Sequence, residues 1–380
     1  MQIDFHESER ASLGVEMELT LVDRTTRELV SAASAILAEI GEGHPDNDHP
    51  KAKHELFECT IEIITGICQT VAEARSDLEE TLSEVRAAAD KRGLDLICSG
   101  SHPFSSWQDQ TISPPPRYRE LVEDMQWTAS RLQIFGIHYH VGVRSAEKSI
   151  AIANELTAWL PHFLALSASS PYWERHDTGL ASSRVKVFEA LPTAGLPPQI
   201  HSWEDFEEYV ETLMEAQAIR TIREVWWDVR PHPNFGTVEL RICDGTPTMH
   251  ECATLAAMAQ TMVTWLDRLI DRGELPRVPR EWVVRENKWL AARYGLDAEI
   301  IVDDSGTRRA IREEIADLMA TLTPIAAELG CSDELAGVNR ILEEGPSCER
   351  QRRQVAGGAT LEDVVDSLVA ELATDTVVAS

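Results

Sequence analysis

At 380 residues, 43 % hydrophobic and 26 % charged, the chain has the size and composition of a soluble globular protein with a sizeable core. Its formal net charge of −29 excludes nucleic acid and anionic membrane as partners, because the summed field repels phosphates. No apolar run approaches the roughly 18 residues needed to cross a bilayer, and the amino terminus MQIDFHESER lacks a basic-then-apolar export signal, so a cytoplasmic protein is expected.

In chain order, period-two alternation predicts strands over Leu13 to Val22, Phe57 to Thr65, Asp95 to Ser99, Ile134 to Val143 and Gly236 to Cys243. Helical spacing predicts helices over Val71 to Lys91, Arg117 to Arg131, Ala146 to Ser169, Trp203 to Ile219 and Met249 to Asp271. Further helices are expected over Trp282 to Tyr294, Arg308 to Leu329 and Glu334 to Glu343, followed by a linker over Gln351 to Thr360 and a short amphipathic helix. Gly41 to His54, polar and proline-bearing, reads as a mobile connection whose three histidines are solvated. The order is neither strict β-α-β alternation nor a repeat. It predicts an α+β chain: residues 1–250 as a sheet core with flanking helices, residues 251–380 as a helical region packed on it, the two forming one continuous domain.

Seven cysteines are scattered without a Cys-x-x-Cys pair, which signals neither a zinc site nor a disulfide framework; they read as reduced, mostly core residues. The acid excess is spread along the chain, with six lysines (Lys51, Lys53, Lys91, Lys148, Lys186, Lys288) beside many arginines. That pattern resembles proteins of salt-loving organisms, where concentrated salt shortens the Debye length to about 3 Å and screens self-repulsion.

Residues i and i+2 of a strand share a face, so Glu16/Glu18, His138/His140 and Glu239/Arg241 each point two functional groups one way, and Glu58 is expected to align with Glu62. One Glu-x-Glu on a strand is usually the wet face of an antiparallel sheet. Two acidic strands beside a His-x-His and a Glu-x-Arg strand are a different matter, because facing carboxylates repel unless a cation sits between them. Hard oxygen donors with imidazole suit Mg²⁺ or Mn²⁺, and Arg241 beside Glu239 would hold a phosphate oxygen. Neither a Walker motif, a Gly-x-Gly-x-x-Gly helix start nor a Gly-x-Ser-x-Gly elbow occurs, so a nucleotide would be held chiefly through metal.

Gly14-Val-Glu16-Met-Glu18, Phe57-Glu58-Cys-Thr-Ile-Glu62-Ile-Ile-Thr65, Gly136-Ile-His138-Tyr-His140-Val-Gly142 and Gly236-Thr-Val-Glu239-Leu-Arg241 resemble the successive motifs of the glutamate–cysteine ligase family. Leu191 to Pro197 and Trp227-Asp-Val-Arg230-Pro are similar to its type 2, carboxylate–amine ligase branch, and the likeness runs from about Leu13 to about His250. The resemblance implies a glutamine synthetase-like fold, a curved antiparallel sheet forming a saddle with ATP at one end and amino acids at the other. It implies two or three Mg²⁺ ions on Glu16, Glu18, Glu58, Glu62, His138 and Glu239, with Glu16, Arg241 and Arg184 facing the nucleotide. Arg241 and Arg184 would stabilise the transferred phosphate, and His140, Arg230 and Asn234 would bind substrate. The implied reaction joins the γ-carboxylate of glutamate to the amine of cysteine through an acyl phosphate, giving γ-glutamylcysteine, ADP and phosphate. Small-molecule partners are thus expected, and a homo-oligomer is compatible with them. Two rivals remain at the level of sequence: a metal-dependent amide hydrolase that uses no ATP, and a non-catalytic sheet with an acidic wet face.

Overall fold

In the computed structural model, which describes residues 2–276 and 278–378, the alternating run Leu13–Asp23 forms the longest strand, β1. It is followed by α1 (Ala33–Gly41), β2 (Ala52–His54), β3 (Thr60–Ile64), α2 (Val71–Asp90) and β4 (Leu94–Ile97). Then come α3 (Pro116–Met125), α4 (Trp127–Ser130), β5 (Ile137–Gly142), α5 (Ala146–Leu156) and α6 (Leu160–Ser167). A small hairpin, β6 (Tyr172–Trp173) with β7 (His176–Asp177), leads through α7 (Arg184–Phe188) and α8 (Trp203–Glu215) to β8 (Val229–His232) and β9 (Thr237–Leu240). The carboxy-terminal part holds α9 (Met249–Arg272), α10 (Glu281–Tyr294), the hairpin β10 (Glu299–Ile301) with β11 (Arg308–Ala310), α11 (Ile311–Leu329), α12 (Ser332–Glu344), α13 (Ser347–Ala356) and α14 (Leu361–Thr374).

The main sheet is antiparallel throughout, in the order β2-β3-β1-β5-β9-β8, with β4 paired to the far end of β1. Its two faces are set by parity. Val15, Met17, Leu19, Ile61, Ile63, Tyr139, Val141, Val238 and Leu240 are each at most 2 % exposed and fill one face. Helices α2 and α9 cover that face, and each such side chain contributes roughly 1.5–3 kcal/mol relative to exposure. Both helices start on a threonine cap: Thr70 accepts from Glu73 N, and Thr248 from Glu251 N. The same apolar cluster runs from Leu13 to Leu372, so the sheet and the carboxy-terminal helices share one core. Among the described residues, no helix is long and apolar enough to cross a membrane.

Several expectations are corrected. The helix expected over 117–131 is broken at Gln126, which takes φ 50°, ψ −128°. The one over 146–169 turns at Thr157–Trp159, just ahead of Pro161, whose ring cannot continue a helix interior. Residues 308–310 form strand β11 before α11 begins. The supposed mobile connection 41–54 contains edge strand β2, and the ring of His49 is buried edge-on against His44. The supposed linker at 351 lies inside α13, which buries Ser347, Cys348, Arg350 and Gln351 rather than an apolar stripe. β8 escapes the sequence reading because Pro231 interrupts it; a proline is tolerated here because β8 is an edge strand.

Candidate metal and nucleotide site

The parity that buries Val15, Met17 and Leu19 leaves Glu16 and Glu18 on the opposite face, and register completes the row. Glu18 faces Glu62, Glu16 faces His138, His140 faces Glu239, and Glu239 faces Arg230. Side chains directly opposite one another stand about 5 Å apart at Cβ, so five neighbouring strands bring their ionisable groups to one patch. His138 Nδ1 lies 3.0 Å from Glu16 Oε2, and His140 Nε2 lies 3.3 Å from Glu16 Oε1 and 3.8 Å from Glu239 Oε1. Arg241 bonds Glu239 and lies 3.5 Å from His138 Nδ1. Gly136 permits a close approach: a Cβ there would sit 2.2 Å from Arg184 Nη2, and its N–H donates to Glu18 Oε2 at 2.6 Å.

Charge on the patch divides into two zones. Burial and the nearby Glu55 push the Glu18 carboxyl up to about 8, and burial with Glu16, Glu55 and Glu18 drives Glu62 well above the usual range. Burial also raises Glu55. In the other zone burial is outweighed: Arg230, Arg241 and the histidines hold Glu239 well below its ordinary value, and His140 with His138 lowers Glu16. Burial and Arg241 take His138 down to about 4, whereas Glu239 and Glu16 overcome burial to raise His140.

Of the residues singled out in the sequence, Glu16, Glu18, Glu62, His138, His140, Glu239 and Arg241 converge. Glu58 does not. Its strand begins only at Thr60, and its buried carboxylate instead accepts from Ser34 N and Oγ, at 3.2 and 2.6 Å. Glu55 stands with Glu18 and Glu62 in its place. Nothing in the alternation marks Glu55, because the turn Phe57–Thr60 separates it from β3. Arg230 is engaged by the protein: Nε donates to Glu239 Oε2 at 2.7 Å, and Nη1 to the carbonyls of Ile222, Arg223 and Val225. Its geometry braces Glu239. Asn234 lies exposed in the β8–β9 turn, with its carbonyl 2.9 Å from His6 Nδ1. That turn needs Gly236, which has φ +64° and lies against the His6 carbonyl.

Arg184 is buried behind Gly136, with Nη1 4.0 Å from Asp244 and Nη2 donating to the Arg241 carbonyl at 3.3 Å. A network sequence reasoning missed fixes its loop: Asp244 accepts from Ser169 N, Ser170 Oγ and Ser182 Oγ, and Ser170 Oγ accepts from Arg184 N.

Three sets of ligand atoms lie within 4.8 Å of one another: Glu16, Glu62 and His138; Glu16, His140 and Glu239; Glu18, Glu55 and Glu62. They share Glu16 and Glu62, and hard oxygen donors with imidazole suit Mg²⁺ or Mn²⁺. His140 Nε2 is buried without a hydrogen-bond partner, while its Nδ1 is held 3.1 Å from Thr237 Oγ1, as in a ligand oriented from behind. The residues fit a divalent cation.

Comparison with known proteins places the chain among relatives. A relative from Frankia casuarinae, provisionally named glutamate–cysteine ligase 2-1, is 54 % identical over 375 residues, 98 % of each chain. One from Thermobifida fusca, provisionally named glutamate–cysteine ligase 2, is 51 % identical over 371 residues, 98 % of this chain and 93 % of that one. The fold is shared with the glutamate–cysteine ligase of Francisella tularensis solved in complex with AMP: TM-score 0.71, 12 % identity, 98 % of this chain and 90 % of that one. It is shared too with a bifunctional glutathione synthetase from Pasteurella multocida, at TM-score 0.71 and 15 % identity, over 96 % of this chain and 52 % of that one. The sequence pattern of the glutamate–cysteine ligase family 2 matches residues 12–371, and the chain belongs to that family.

Proposed function

We propose that the chain is a cytoplasmic, ATP-dependent carboxylate–amine ligase that joins the γ-carboxylate of glutamate to the amine of cysteine, releasing ADP and phosphate. The observation that carries this reading is the gathering of Glu16, Glu18, Glu55, Glu62, His138, His140 and Glu239 on one sheet face with Arg241 among them, in a member of this family. A carboxylate is a poor acylating agent, so phosphorylation must precede attack by an amine. Magnesium, if held by these carboxylates and imidazoles, would supply positive charge that favours phosphoryl transfer from ATP.

The chain's own groups have distinct tasks. Arg241, with a buried Nε that lacks a hydrogen-bond partner, donates toward the phosphoryl charge, and Arg184 adds positive potential behind Gly136. Arg230 holds Glu239 in orientation from the next strand. His140, fixed through Thr237, and His138, fixed through Glu16, complete the nucleotide end of the patch. Glu18, Glu55 and Glu62 form the amino-acid end, and the attacking amine loses its proton to a cluster carboxylate or to the phosphate.

The test is ADP release by purified protein with ATP, Mg²⁺ and glutamate, adding each amino acid in turn. ADP formed with cysteine and reduced about 10²- to 10³-fold in Glu239→Gln is the expected result. ADP with a different amino acid would change the amine while keeping the mechanism. No ATP turnover with any of them would overturn the ligase reading.

A further inference from the structure

The amino-acid end of the patch has a cation that the reaction outlined above leaves unused. Arg117 opens α3, and its guanidinium lies 4.5 Å over the Tyr118 ring and donates to Tyr118 Oη. Tyr118 is buried, and its hydroxyl donates in turn to the carbonyl of His54, the residue before Glu55. A rigid relay therefore ties an exposed guanidinium to the backbone just ahead of Glu55, whose carboxylate stands with Glu18 and Glu62 in the patch. Both of the polar and ring contacts Arg117 makes are to Tyr118, so among the described residues no carboxylate ties up its donors.

With 64 acidic against 35 basic residues, cations are readily paired. The two lysines of the same edge are already committed, Lys51 to Asp77 and Lys53 to Asp48 and the His49 carbonyl. At the nucleotide end, Arg230 and Arg241 both bond Glu239. A free guanidinium next to carboxylates matches an α-amino acid, which carries a carboxylate and an ammonium on one carbon. Arginine also binds carboxylate in a planar, two-bond geometry that a lysine cannot reproduce.

We infer that Arg117 binds the α-carboxylate of the amine-donating amino acid, selecting an amino acid over a simple amine. The assignment to the amine donor follows from its exposure at the rim: the second substrate must reach a phosphorylated first substrate already held against the sheet. This rests on the ligase reading for the order of events, but its test does not depend on turnover.

Binding is measured by calorimetry for cysteine and for cysteamine, which lacks the carboxylate, on the full chain with Mg²⁺, glutamate and a non-hydrolysable ATP analogue. The native protein should favour cysteine by about 10- to 100-fold, the scale of one charge-assisted contact. Arg117→Gln should bring the two within about threefold, with cysteamine binding unchanged, and Arg117→Lys should fall between. Melting temperatures should not move, because Tyr118 and its bond to His54 remain. Equal binding of cysteine and cysteamine by the native protein, or a ratio unaltered in Arg117→Gln, would overturn the inference. So would a weakened affinity for glutamate with cysteine unaffected. If binding behaves as expected while ATP is not turned over, the ligase reading fails and the Arg117 assignment stands.

Discussion

Two buried acidic clusters in this protein are built from the same residue types and differ in how their charge closes. Behind the carboxy-terminal helices, Arg350 lies between Glu251 and Glu371; all three are at most 4 % exposed. Arg350 Nη1 donates to Glu251 Oε1 and to the Gly345 carbonyl at 2.8 Å, and Thr248 Oγ1 and Val378 N serve the remaining carboxylate oxygens. The sheet patch, in contrast, sets Glu18 directly across from Glu62 and adds Glu55 and Glu16, while its arginines crowd around Glu239. In the first cluster the chain supplies the cation between the two carboxylates, and the group ties α9, α13 and α14 together. The other leaves carboxylates facing each other with no cation of the chain set between them, the arrangement that a bound cation would complete.

The contrast can be broken at its closed end first. Arg350→Ala leaves two carboxylates buried without their cation and should destabilise the protein by about 3–5 kcal/mol, read by denaturant unfolding. Adding Glu251→Gln and Glu371→Gln should recover much of that loss, and activity should survive wherever the chain is folded. A larger effect on turnover than on stability would dissolve the distinction between the two clusters.

A buried carboxylate with no cation beside it among the described residues supplies the intermediate case. Glu155 of α5 is 6 % exposed, and burial raises its carboxyl to about 7. The folded state then holds this proton more tightly than the unfolded chain, so its contribution falls as pH rises from about 4.5 to about 7. Glu155→Gln should remove that slope and stabilise the protein at neutral pH by on the order of 2 kcal/mol, measured as melting temperature across pH. The smallest effect is expected on the patch itself. Glu62→Gln relieves the facing pair and should stabilise the metal-free protein by about 1 kcal/mol. Added Mg²⁺ should then raise the melting temperature of the native protein more than that of the variant.

Much of the patch was legible because a strand writes its faces into alternate positions. Glu16, Glu18, His138, His140 and Glu239 each lie in an uninterrupted run, so their shared orientation needed only a period of two. Alternation points to Glu58 and passes over Glu55 because a turn precedes β3: Thr60 N donates to the Phe57 carbonyl, and parity counted through a turn has no meaning. Arg230 could be seen as a cation near the site, but its commitment to Glu239 depends on an edge strand that Pro231 hides. α13 was invisible for the opposite reason. It buries arginine and glutamine, and hydropathy detects only helices that bury carbon. The loop that seats Arg184 draws on Ser169, Ser170, Ser182 and Asp244, which no local pattern connects.

β1 also constrains how such a chain can change over generations. Its odd-numbered residues from Leu13 to Leu19 belong to the core, while Glu16 and Glu18 belong to the acidic patch. A single inserted or deleted residue within it would exchange the two sets, sending glutamates into the apolar layer and leucines into the patch. Substitutions can be tried there one at a time, each judged by the face it lands on. Changes of length must be absorbed elsewhere, in connections such as residues 24–28 or 42–50, so β1 is a stretch where descendants can differ in spelling but not in count.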